Sequence, residues 1–180
     1  FGSKLLLSSL IDVIYNNIYS LVIGKVYDSS TLGYYNRADQ FPNLIVYNVN
    51  GSIQSVILPA LSEYQDDKPK VKEMVRKAMS VSSFLVFPLM MGMAICAEPI
   101  VSLILTDKWL PCVPYLQILC LSYMLWPIHT ANLQAINALG RSDIYLKLEV
   151  IKKIIGIISL LISLPFGVIV MVYMKLVTGI

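Results

Sequence analysis

Charge is scarce in this chain, and so are the groups that run covalent chemistry. Asp, Glu, Lys and Arg make up 14% of its 180 residues, where soluble domains carry about 25%. The net charge of +3 is too small, and too confined to connecting segments, to point to a nucleic-acid partner. There is one histidine, His129. The three cysteines, Cys96, Cys112 and Cys120, lie in or beside apolar segments. An odd count without extracellular spacing gives no disulfide framework, and no CxxC or histidine cluster offers a metal site. No nucleophile–base pair and no glycine-rich phosphate loop is present, so neither an enzyme nor a cofactor is expected.

Apolar residues are plentiful instead. They make up 57% of the chain, against about 45–50% in soluble domains, and the mean hydropathy is +0.70. Several runs approach the ~20 residues that a helix needs to cross a bilayer. The short alternating segments of a β-barrel are missing. The fold class this predicts is all-α: a polytopic transmembrane helix bundle with about five full spans and a truncated sixth. The chain begins at Phe1 with no initiator methionine or signal peptide and ends at Ile180 in an apolar run. It therefore reads as part of one transmembrane domain of a larger protein.

The first segment runs from about Lys4 to Gly24 and is interrupted by Ser8, Asp12, Tyr15, Asn16, Asn17 and Tyr19. Asp12 lies about 12 Å along the helix from Lys4. An ionisable group at that depth faces protein or water, either as a helix-packing residue or as an ion-coupling one. A polar link, Lys25–Gln40, follows. In it Asp28, Ser29, Ser30 and Gly33 form turns, and Tyr34 and Tyr35 suit an interfacial aromatic belt.

The second span is Phe41–Leu61, with Pro42 tolerated in its first turn. On it Asn43, Tyr47, Asn50 and Gln54 share one face at helical spacing. A spanning helix with such a stripe either packs on other helices or lines a wet cavity. The polar stretch Ser62–Lys77 reads as a short amphipathic connector between spans. The third span, about Val81–Leu105, bends or approaches a neighbour at Pro88 and Gly92.

Trp109 anchors a tight link, and the fourth span runs from about Cys112 to Leu139 with His129, Asn132, Gln134 and Asn137. A lone histidine on a helix is most often a packing residue, but the carboxamides around it suit a cavity wall. After a turn at Gly140–Asp143, the fifth span is about Tyr145–Leu164, whose Lys147, Lys152 and Lys153 are placed to snorkel. Pro165-Phe166-Gly167 marks a turn into a sixth segment from Val168, inside which Lys175 has no explanation.

With alternating topology, the Ser62–Lys77 and Gly140–Lys153 links share one side and hold nine cations; the other side has Lys25, Arg37 and Lys108. The positive-inside rule makes the nine-cation side cytoplasmic. The cavity candidates are Asn16, Asn43, Tyr47, Asn50, Gln54, His129, Asn132 and Gln134. Carboxamides, phenols and imidazole suit sugars better than bare ions. Arg37 and Arg141, near the mouths, could pair with a phosphate, and Asp12 could serve ion coupling.

The runs LGYYNRADQFPNL and VILPALSEYQDD, with FPLMMGMA, KWLPCVPYLQILC, GRSDIYLKLEVIKKIIGI and PFG in order, resemble the polysaccharide flippases. The likeness is to the lipopolysaccharide/O-antigen/capsule type of the multidrug/oligosaccharidyl-lipid/polysaccharide exporter superfamily. It implies a MATE-like half, the start of the second six-helix bundle of a transporter that works by alternating access. It also implies a bacterial inner-membrane location and a lipid-linked oligosaccharide cargo carried on undecaprenyl pyrophosphate. Membrane lipids and the polysaccharide polymerase machinery would be its partners. The competing readings are a multidrug or ion-coupled antiporter of the same fold, supported by Asp12 and Glu98, and a non-transporting membrane scaffold. A membrane-embedded glycosyl enzyme would need an acidic pair near a loop, and Asp66-Asp67 beside lysines reads as a solvated charge run.

Overall fold

The computed structural model describes residues 13, 17–64, 67–138 and 142–178. Among them every regular element is helical: α1 (residues 17–26), α2 (Ser29–Glu63), α3 (Lys68–Ile95), α4 (Ala97–Leu105), a 3-10 turn (Asp107–Cys112), α5 (Val113–Met124), α6 (Trp126–Ala138), α7 (Ser142–Ser163), a second 3-10 turn (Leu164–Phe166) and α8 (Val168–Thr178). Among the described residues, three stretches are long and apolar enough to cross a membrane: Ser29–Glu63, Pro69–Ile95 and Asp107–Leu133. The protein is an all-α membrane helix bundle.

Two boundaries differ from the sequence reading. The link between the first two helices shrinks to Tyr27 and Asp28, and α2 begins at Ser29 rather than near Phe41. Asp28 starts it: its carboxylate accepts from the Thr31 amide at 3.1 Å and the Ser30 hydroxyl at 2.6 Å. These bonds favour the ionised form and draw its pKa down to about 2. Pro42 consequently sits in the helix interior, not in its first turn. Likewise the Ser62–Lys77 connector is not a separate surface helix. Asp67 caps α3 by accepting from the Lys70 amide at 3.1 Å, and the helix then runs unbroken through the third span to Ile95. Nothing between Ala78 and Val81 can stop it, since no glycine or proline intervenes.

The other differences are breaks. A turn at Cys96 divides the third span into α3 and α4, and a turn at Leu125, just before buried Pro127, divides the fourth into α5 and α6. Thr106, at the α4 exit, holds φ at 83°, a sterically poor value for a β-branched residue. Its neighbours brace it: the Ser102 hydroxyl donates to Asp107 at 2.8 Å and the Trp109 amide to the Thr106 carbonyl at 3.0 Å. At the end of α7, Gly167 takes φ 97° and the chain reverses into α8 where the Pro165-Phe166-Gly167 run predicts a turn.

α5 is the centre of the packing. Leu116, Leu119 and Cys120 are fully buried, and α2, α3 and α8 pack around it. A large apolar cluster includes Tyr35, Ala38, Val46, Val86, Met90, Val101, Leu116, Leu119, Met171 and Val172. A second, small cluster of Leu61, Val71 and Val75 lies where the end of α2 and the start of α3 meet Ala131 and Ala135 of α6.

The connectors sort by end. The Tyr27 hydroxyl donates to the Leu164 carbonyl at 2.5 Å. Tyr34 meets Trp109 edge-on at 5.8 Å, and Arg37 lies 5.6 Å over the same indole. Thus the α1–α2 link, the Trp109 turn and the α7–α8 turn share one end of the bundle, as an alternating topology requires.

Candidate functional site

Among the described residues, three groups of polar side chains stand inside the bundle rather than one lining. The first is a seam between α2, α3 and α6. Asn50 is 6% exposed there, and its Nδ2 donor has no hydrogen-bond partner. Beside it is a cavity of about 20 Å³ bounded by Asn50, Gln54, Ser82, Pro127, Thr130 and Ala131, among others. A water needs about 10–15 Å³ by this measure, so the space takes one water that can accept from Asn50. The Ser82 hydroxyl turns away, donating to the Ala78 carbonyl at 2.8 Å. Asn43 and Tyr47, two turns and one turn earlier on α2, are exposed.

The second group joins α6 to α7. Lys152 Nζ lies 3.3 Å and 3.2 Å from the two ring nitrogens of His129 and donates to whichever carries the lone pair. Glu149 Oε1 is 3.7 Å from His129 Nε2, while Oε2 accepts from Lys153 Nζ at 3.0 Å. Glu149 and Lys153 are 7% and 9% exposed. The sequence reading has these lysines snorkelling to the interface. Instead Lys153 is buried against a carboxylate, because Glu149 stands one helical turn before it on the same face. Trp126 closes over His129 edge-on, with ring centres 6.3 Å apart.

The third group accounts for Lys175. Its Nζ donates to the Tyr35 hydroxyl at 3.0 Å and stands 3.7 Å from Asp39 Oδ1. Asp39 also accepts from the Tyr123 hydroxyl at 3.1 Å. The ammonium lies 5.5 Å and 5.6 Å from the Tyr19 and Tyr35 ring centres, a cation–π distance. Tyr35 is 3% exposed and is a core residue here, not part of an interfacial belt. This group ties α8 to α2 and α5. Periodicity missed it because the partners lie far apart in sequence; the one available signal was a lysine and an aspartate each stranded near apolar runs.

The remaining candidates lie apart. Asn132 borders a groove between α3 and α6. Arg37 is exposed, donates to Gln40 at 2.9 Å and stays near Trp109. Gln134 lies on α6, with its side chain outside the described residues, as are Asp12, Asn16 and Arg141 altogether. Asn36, on the polar line of α2, accepts from the Ser20 hydroxyl at 3.1 Å and so serves a contact with α1. Among the described residues no three His, Cys, Asp or Glu side chains gather as metal ligands.

Comparisons with known proteins agree with a membrane bundle of this kind. The chain is 28% identical over 163 residues to "Lipopolysaccharide biosynthesis protein WzxC" of Escherichia coli K12, covering 91% of this chain and 33% of that protein. It is 28% identical over 157 residues to an "Uncharacterized membrane protein in cps region" of Klebsiella pneumoniae, covering 87% and 32%. To "Teichuronic acid biosynthesis protein TuaB" of Bacillus subtilis it is 26% identical over 144 residues, covering 80% and 30%. The chain thus spans about a third of the length of these curated relatives. No solved structure matches it. Residues 1–114 match the family described as "Polysaccharide biosynthesis protein", and with well over half of its length inside that match, the chain belongs to this family.

Proposed function

We propose that the protein containing this chain is a transporter, not an enzyme. In this reading it flips lipid-linked oligosaccharide repeat units across the bacterial inner membrane for surface polysaccharide synthesis. The observation that carries the reading is a match over 91% of the chain to a protein named for lipopolysaccharide biosynthesis, in a bundle with three candidate spans among the described residues. The cargo is carried on undecaprenyl pyrophosphate, and its repeat units pass to the polymerase machinery. Two helix bundles, of which this chain begins the second in a MATE-like arrangement, rock around a shared cavity. Asn43, Tyr47, Asn50, Gln54, Asn132 and Gln134, with Asn16 and His129, meet the sugars, and Arg37 and Arg141 meet the pyrophosphate. Asp12 is a coupling candidate. The end carrying the α2–α3 and α6–α7 links, with nine cations against three, faces the cytoplasm.

Deleting the complete gene in its native host tests this. Lipid-linked repeat units are expected to accumulate on the inner leaflet while surface polysaccharide falls. Normal surface polysaccharide would refute the proposal.

One observation favours the scaffold reading instead: the space beside Asn50 is only about 20 Å³, too small for a sugar. A cysteine placed at Asn50 in the full-length protein, with Cys96, Cys112 and Cys120 replaced, separates the two. Transport requires the seam to open, so labelling by a water-soluble maleimide is expected. Complete protection under all transport conditions favours the scaffold.

A further inference from the structure

Along the outside of α3 runs a groove with two unlike ends. At the end near the α2–α3 link it is a recess of about 460 Å³ bordered by Lys72, Arg76, Val75, Met79, Asn132 and Ala135. It continues through Arg76 and Met79 into an open trough of about 700 Å³ along Ser83, Phe84, Phe87, Pro88 and Ile128. Lys72 and Arg76 are exposed one turn apart, and neither takes part in an ion pair among the described residues. Beyond them the wall is mostly apolar, with Phe84, Phe87, Pro88 and Ile128, and Phe84 is 83% exposed.

We infer that this groove is a binding site for an anionic membrane phospholipid, with its phosphate between Lys72 and Arg76 and an acyl chain laid along α3 to Pro88. Three features favour this occupant. Two uncompensated cations complement a phosphodiester in charge and in hydrogen-bond donors, while the Asn132 amide beside them donates to the Ile128 carbonyl at 2.9 Å. Basic recesses between membrane helices hold such headgroups. The length also fits: Arg76 to Phe87 is eleven residues, about 16 Å of helix, close to the ~15 Å thickness of one hydrocarbon leaflet.

The trough offers few groups to a sugar, since its polar members are Arg76, Ser80 and Ser83. It also uses a different face of α3 from the seam beside Asn50, which takes Ala78 and Ser82. The trough therefore stands apart from that seam, although the recess shares Val75 with it and Asn132 with the proposed sugar contacts; the assignment rests on Lys72, Arg76 and the trough and does not depend on the transport proposal.

Native mass spectrometry of the full-length protein, offered equal phosphatidylglycerol and phosphatidylcholine with matched chains, tests the assignment. A cation beside an anionic headgroup is worth about a five-fold preference, so phosphatidylglycerol adducts should exceed phosphatidylcholine adducts at least ten-fold. The Lys72→Gln/Arg76→Gln pair should bring the ratio near one. Met79→Trp, which fills the junction of recess and trough, should reduce retention of both lipids. Equal retention by the unaltered protein would overturn the assignment, as would an unchanged ratio in the double variant. Displacement of phosphatidylglycerol by an equimolar polyprenyl diphosphate would also overturn it, by giving the groove to the cargo's carrier.

Discussion

Glu149→Leu is expected to destabilise the bundle by about 3–5 kcal/mol, the usual cost of removing one partner from a buried ion pair. The variant takes away the carboxylate 3.0 Å from Lys153 Nζ and 3.7 Å from His129, and with it the negative charge that faces the buried Lys153 ammonium. Thermal unfolding of the full-length protein in detergent should show a drop of several degrees. The second arm of the experiment is Glu149→Leu/Lys153→Leu. Replacing both charges by packed apolar groups is often neutral, so most of the loss should return. A single variant that melts with the unaltered protein would mean that water reaches these charges and that the pair contributes no more than a surface one.

The second large effect is at Lys175. Lys175→Met breaks the contacts to Tyr35 and Asp39 and leaves Asp39 with the Tyr123 hydroxyl. Both charged side chains keep about a quarter of their surface exposed, 27% and 24%. Screening lowers the expected cost to about 2–3 kcal/mol. Asp39→Asn in the same background should recover much of it. Hydrogen exchange gives a local readout, because amides of α8 should lose protection before those of α5. Equal protection of α8 in the variant and the unaltered protein would show that packing of Met171 and Val172, not the ammonium, holds the helix. Tyr123→Phe removes one hydrogen bond to a carboxylate and should cost a similar amount, about 1.5–3 kcal/mol.

These two groups also show where reading the chain alone succeeds and where it stops. Long apolar runs gave the membrane class, and the Pro165-Phe166-Gly167 turn was legible from its three residues because local backbone chemistry dictates it. The start of α2 was not. Tyr34, Arg37 and Asp39 look like loop residues when neighbours in sequence are their only company. Trp109, Lys175 and Tyr123, brought in by the fold, make them acceptable within a helix. The polar line along α2 is visible in the spacing, but the fold divides its members: Asn36 bonds Ser20, Asn50 enters a seam, Tyr47 stays exposed. Helical spacing ranks residues by direction around one axis. It carries no information about which neighbour occupies that direction.

The two apolar clusters are unequal, and the break at Leu125 falls between the helices that serve them. α5 is embedded in the thick cluster, whereas α6 meets α2 and α3 through the thin one of Leu61, Val71 and Val75. Among the described residues, then, the α6 end of the bundle is closed by far less buried apolar surface than the Trp109 end.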